Sequence, residues 1–144
     1  MKVKQILVPL DGSENSLRSL RYALDLANQC NASVIGLHVI TNLSAFAAVH
    51  PIVISESKWP GYVKDLMNEA RKIAVKKEAV LYEELVIGGK AAGYDIVTFA
   101  DSKSNSIDLI VMGHRGLSFP REIIPGSTAN FIIHKSKTPV LLVR

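Results

Sequence analysis

Residues 107–128 read IDLIVMGHRGLSFPREIIPGST. A short apolar run, Ile107 to Met112, stops at Gly113, and a second glycine follows at Gly116. Nine residues then lead to Gly126-Ser127-Thr128, at the head of a segment with helical apolar spacing. A near-continuous apolar run of this length reads as a strand buried on both faces. Gly113 and Gly116 permit tight turns and leave room for a ligand against the backbone. Gly126, Ser127 and Thr128 put backbone N–H groups and two hydroxyls at the positive end of a helix, which suits an anion. Taken singly, these residues also read as a C-cap glycine and an ordinary Ser/Thr cap. Their spacing, after a buried strand and before a helix, favours phosphate.

The same alternation extends in both directions. Val3–Leu10 (VKQILVPL), Ser33–Ile40 (SVIGLHVI), Leu81–Ile87 (LYEELVI), Ile107–Met112 and Thr138–Val143 (TPVLLV) read as five strands. Between them, 3.6-residue stripes predict helices over Asn15–Gln29 (Leu17, Leu20, Leu24, Ala27), Gly61–Glu78 (Val63, Met67, Ala70, Ile73, Ala74) and Lys90–Asn105 (Ala92, Ile96, Phe99, Ala100). A fourth helix is predicted over Ser127–Lys135, with Phe131 and Ile132 as core contacts. Ser13 is the expected cap of the first helix, with Asn15 a second candidate. Strict β-α alternation with short links argues a doubly wound α/β sheet with right-handed crossovers. Thr41–Pro60 fits no element. It reads as irregular structure over a sheet edge, or as a lid or partner-contact segment.

Composition bounds the class. The chain has 144 residues, 48% of them hydrophobic, enough for one domain, residues 1–144, with its own core. Its one cysteine, Cys30, rules out an internal disulfide and a four-cysteine zinc site, and reads as a small hydrophobe at a helix end. No apolar run approaches the roughly 18 residues of a membrane span, and the opening residues lack the h-region of a signal peptide. A cytoplasmic protein with no membrane partner is the expectation. The net charge of +4 is mild, and no basic stripe with interleaved aromatics argues for nucleic acid.

In such sheets ligands bind beyond the carboxyl ends of the strands, where the strand order reverses. Pro9-Leu10-Asp11-Gly12-Ser13, Leu37–Ile40 and the segment from Gly113 onward meet there if the first and fourth strands are neighbours. Asp11 reads as turn chemistry, or as a partner for a ribose hydroxyl or magnesium. Arg115 and Arg121 read as solvated side chains or phosphate partners. His38 is expected as a satisfied core histidine, His134 near a helix end suits the dipole, and His114 alone of the histidines falls in the candidate site. Walker A, G-x-G-x-x-G, paired-histidine and paired-carboxylate motifs are absent.

Gly113, Gly116, Gly126 and Ser127 form the pattern Gly-x2-Gly-x9-Gly-Ser, which resembles the nucleotide-binding signature of the universal stress proteins. ILVPLDGSENS resembles that family's first strand and loop, GLHVI its second strand and TPVLLVR its last. His114-Arg115, Phe119-Pro120, Pro125 and Gly88-Gly89-Lys90 depart from the commoner residues without removing a signature position. The resemblance covers the whole chain. It implies a five-stranded parallel sheet in order 3-2-1-4-5 with helices on both faces, of the adenine nucleotide alpha hydrolase type. It implies a stress-response role and an ATP or AMP site, with Asp11 near ribose and phosphates, Val39 reading the adenine through its backbone, and Mg as a companion ion. The nucleotide-binding set it implies is Pro9, Asp11, Val39, Met112, Gly113, His114, Arg115, Gly116, Gly126, Ser127 and Thr128, with Asp11 as an indirect metal contact and no catalytic residue.

The last strand lies at the edge of that sheet. Val140, Leu141, Leu142 and Val143 are too apolar to leave unpaired, so the expectation is a homodimer in which a two-fold copy pairs across them, the alternative being that Thr41–Pro60 or a helix covers this edge within one chain. The leading reading is a dimeric adenine-nucleotide-binding regulator. The alternatives are a slow Mg-dependent ATPase, for which no base to orient water is evident, and a nucleotide-free interaction module.

Overall fold

The computed structural model describes residues 1–41, 51–79, 81–114 and 126–144. Strands β1 (Gln5–Pro9), β2 (Ser33–Thr41), β3 (Ile52–Val53), β4 (Tyr82–Gly89), β5 (Leu109–Gly113) and β6 (Val140–Val143) form one sheet in the order β3-β4-β2-β1-β5-β6. Helices α1 (Glu14–Cys30), α2 (Gly61–Lys76), α3 (Ala92–Asp101) and α4 (Ser127–Lys135) alternate with the strands. All strand pairs are parallel except β3 with β4.

The five expected strands are present, and in the expected order. The correction is a sixth strand. Ile52 and Val53 pair antiparallel with Gly88 and Ile87, and the Ile54 N–H extends the ladder to the Val86 carbonyl at 2.8 Å. Two residues carry no periodicity, so this strand has no signal of its own in sequence. Trp59 anchors the same segment: its indole N–H donates to the Ile54 carbonyl at 2.9 Å and its ring is buried. The described part of Thr41–Pro60 thus covers the β4 edge, as irregular structure over an edge would, and leaves the β6 edge alone. Phe46, Val49 and the rest of 42–50 lie outside the described residues.

Both faces of the sheet are covered, which is why its central strands read as unbroken apolar runs. Ile6 and Val8 point toward α1 and α2, with Leu20, Leu24, Val63 and Met67. Leu7 points the other way, with Leu37, Ile87, Ile96, Ile110 and Ile132. Gly36 on β2 makes room for Tyr82, whose buried hydroxyl has no hydrogen-bond partner among the described residues and whose pKa burial pushes up.

Several expected ends move for local reasons. α2 stops at Lys76, and Glu78 turns the chain at φ 52°. α3 stops at Asp101, where Asn105 donates to the Phe99 carbonyl at 2.8 Å and Ser106 takes φ 51°. β6 begins after Pro139, which has no N–H to give. Phe131 is more than a third exposed; Ala129 and Ile132 face the core and Phe131 lies across Gly93. Cys30 is exposed at the last residue of α1 and fills no core position.

Candidate functional site

β1 pairs with β2 on one side and β5 on the other. The chain runs outward from β1 through β2 to β4, then returns across the sheet to β5, so strand order reverses between β1 and β5. Their carboxyl ends carry Pro9-Leu10-Asp11 and Met112-Gly113-His114. This is the crevice in which open α/β sheets bind ligands.

On the β1 side the backbone is closed by its own side chains. Asp11 Oδ1 accepts the Ser13 N–H at 2.9 Å. The Ser13 hydroxyl accepts the Ser16 N–H at 3.1 Å and is the N-cap of α1. Gly12 carries φ +87°, the left-handed conformation that glycine adopts without a Cβ penalty. Asp11 itself is exposed, and its Oδ2 has no partner among the described residues.

On the β5 side Gly113 is buried against the first turn of α1. A Cβ there would lie 3.0 Å from Asn15 Cβ and 3.1 Å from the Asn15 carbonyl carbon. Helix packing alone therefore requires glycine at 113. His114 follows, half-buried; its N–H donates to the Val143 carbonyl at 2.9 Å, and its carbonyl accepts the Gly126 N–H at 3.1 Å. That bond ties the two ends of 115–125 together.

Gly126 is the N-cap of α4, with φ −58° and ψ 161°, a conformation open to any residue. It offers no side-chain cap, and its N–H is spent on His114. The N–H groups of Ser127, Thr128 and Ala129 have no partner among the described residues. Ser127 is exposed and Thr128 half-exposed, so both hydroxyls are accessible. Among the described residues nothing caps these donors at the positive end of the helix dipole.

The remaining expected residues are placed as follows. Pro9 ends β1, half-buried, in register with Leu37. Val39 is half-buried on β2, opposite Ile87. The Met112 side chain is buried in the core, so only its backbone faces the site. Arg115 and Gly116 lie outside the described residues, as does Arg121. Ser16 was missed. Ser13 and Ser16 stand three apart at a helix start, the spacing of a cap and the N–H it receives, which was the available signal. No group of three or more His, Cys, Asp or Glu among the described residues is clustered to hold a metal.

A model described as the universal stress protein family matches residues 2–144. The chain belongs to the universal stress protein family. A universal stress protein of Methanocaldococcus jannaschii is 32% identical over 148 residues, covering 98% of this chain and 82% of the relative. Among solved structures of the family, a universal stress protein in complex with cAMP superposes with TM-score 0.74 at 27% identity, covering 100% of this chain and 98% of the other. The universal stress protein from Archaeoglobus fulgidus in complex with dAMP gives 0.69 at 25% identity over the whole of both chains. The sheet with helices on both faces is the fold of these relatives. No helix among the described residues is long and apolar enough to cross a membrane.

Proposed function

We propose that this universal stress protein binds an adenine nucleotide, ATP or AMP, at the crevice between β1 and β5. The observation that carries the reading is the start of α4, where the Ser127, Thr128 and Ala129 N–H groups have no partner among the described residues and two hydroxyls stand beside the strand-order reversal. The relatives solved with cAMP and dAMP support it. In this reading phosphates sit on Gly126–Thr128, ribose meets Asp11 and Pro9, and adenine lies against the Val39 backbone. Met112, Gly113 and His114 form the wall from which 115–125 departs, with Arg115 and Gly116 completing the signature.

Magnesium fits only as an ion carried by the phosphates. Asp11 offers one free carboxylate oxygen, and magnesium commonly takes one or two protein carboxylates beside phosphate oxygens.

The protein acts as a cytoplasmic homodimer that couples nucleotide occupancy to a stress response. Support for the dimer is the β6 edge, where Leu141 is 45% exposed and Val140 and Leu142 are half-buried. The Val143 side chain packs inside, so it contributes backbone only. Light scattering of Leu141→Lys should report a folded monomer; an unchanged dimer would remove this interface.

Thermal shift with ATP, AMP and GTP, each with magnesium, tests the site. A ligand at about 100 times its Kd adds about 2.7 kcal/mol. For a domain of this size that is a rise of roughly 5–10 °C. No shift with either adenine nucleotide overturns the reading. Mass analysis of nucleotide released from the purified protein separates a binder, which retains ATP, from an ATPase, which accumulates ADP.

A further inference from the structure

His38 meets its expectation as a satisfied core histidine, and its partner is the loop that carries Asp11. The pairing of β1 with β2 ends at Pro9 opposite Leu37. The Leu10 N–H still reaches the Leu37 carbonyl at 2.7 Å. The Leu10 carbonyl is met by a side chain instead: His38 Nδ1 lies 2.8 Å from it. A carbonyl only accepts, so Nδ1 carries the hydrogen. The ring is 9% exposed and stands edge-on to Tyr62 in the first turn of α2, with centroids 5.9 Å apart. It sits between the sheet and the first turn of α2.

The other side of the same peptide group is also held. The Asp11 N–H points at Ser16 Oγ at 3.4 Å, and that hydroxyl donates to the Ser13 carbonyl at 2.9 Å. With the Leu10–Asp11 peptide plane held on both sides, the Asp11 N–Cα bond is held with it, and the bond from the Ser13 N–H to Oδ1 sets the rotation about it that brings the carboxylate into place. We propose that His38 is a positioning residue: its Nδ1–H orients the Leu10–Asp11 peptide and so aims Asp11 at the ribose and phosphates of a bound nucleotide. An apolar residue of similar size would fill the same space and leave the carbonyl of buried Leu10 without this donor.

The consequence for ligand rests on the nucleotide-binding reading; the orientation of Asp11 does not. Asn carries Nδ2 on Cγ, at the place of the imidazole Nδ1, whereas Leu carries no donor there. The test compares the unsubstituted protein, His38→Asn and His38→Leu by ATP and AMP calorimetry, amide hydrogen exchange at Ser13, and imidazole 15N NMR. The 15N spectrum should show a protonated Nδ1. His38→Leu should weaken nucleotide binding about fivefold to tenfold, the factor carried by one hydrogen bond of ordinary net strength. It should also speed exchange at Ser13, and His38→Asn should restore both. If His38→Leu does not fold, His38→Gln, with its donor one methylene farther out, takes its place with the same expectation. A folded Leu or Gln variant that keeps both Ser13 protection and affinity overturns the proposal, as does loss of both in His38→Asn. If the unsubstituted protein binds no adenine nucleotide, the functional reading fails, while Ser13 exchange across the variants still decides what His38 does.

Discussion

The starts of α1 and α4 are linked through two residues, yet they are built in opposite ways. Gly113 packs on Asn15 in the first turn of α1, and His114 holds Gly126 at the cap of α4. α1 closes its own N-terminus: Asp11 takes the Ser13 N–H, and the Ser13 hydroxyl takes the Ser16 N–H. α4 begins at a glycine with no side chain to fold back, and its first donors have no partner among the described residues. A helix start that satisfies itself gains stability. One left open keeps donors that an anionic ligand can satisfy instead. The molecule spends capping side chains on α1 and withholds them from α4.

The largest way to break this contrast is at the hinge between the two. Gly113→Val places methyl groups against the Asn15 backbone, which cannot step aside without moving α1. Overpacking of this kind should cost about 1–3 kcal/mol in urea denaturation. Nucleotide affinity should fall with it, because Asp11 rides on the loop leading into α1.

Next in size is Gly126→Asp, which gives α4 the cap that it lacks. The backbone at φ −58° accepts any residue, so no left-handed strain arises. The carboxylate should occupy the donors intended for phosphate and lower nucleotide affinity by more than tenfold, at least about 1.4 kcal/mol. The melting temperature of the nucleotide-free protein should hold or rise. A fall in stability with unchanged affinity would show that α4 is not an open anion site.

The converse change is Ser13→Ala, which opens α1. Loss of this cap should cost about 1 kcal/mol by urea denaturation. The effect on nucleotide affinity should be smaller than that of Gly126→Asp; equal effects would erase the distinction between the two helix starts.

The smallest effect concerns the other end of α4, which is closed like the start of α1. Asp101 accepts from the N–H groups of Lys137 and Thr138 and from the hydroxyls of Ser136 and Thr138, at 3.0–3.1 Å. Burial pushes the Asp101 carboxyl up, but these hydrogen bonds outweigh it and hold the group below its ordinary value of 3.8. A carboxylate depressed in the folded state adds stability above its unfolded pKa, and that stability is lost as pH falls through the folded value. The acid limb of the stability curve should therefore shrink in Asp101→Asn, while stability above pH 5 drops toward the acid value (about 5 being the upper end of carboxylate titration). An unchanged acid limb would show that Asp101 carries no such linkage.

Much of this was legible from residue order alone. Leu17, Leu20, Leu24 and Ala27 are buried as their spacing demands, and Ser13 is the cap that its place before the helix predicts. The glycine spacing marked the β5 end and the start of α4. Illegible were features that depend on distant partners. Ile52–Val53 becomes a strand only because the β4 edge lies beside it. Phe131 looks like a core residue until Gly93 gives it a surface groove. Gly113 was legible as a glycine position, but its packing against Asn15 was not, since Asn15 is nearly a hundred positions away in sequence (about the length of a whole small domain).

The sequence by itself determined the alternation of strands and helices, which faces are apolar, and the local chemistry of each helix start. These are written in periods of two and 3.6 residues and in caps three residues long. Only the tertiary structure decided which of those local features meet. The crossover from β4 back to β5 sets Asp11 beside the wall from which α4 begins, and the end of β1 hands the Leu10 carbonyl to His38, 28 positions along the chain. The reason is physical: a capping bond closes within one turn of chain, whereas a crevice between parallel strands exists only after both faces of the sheet have been buried.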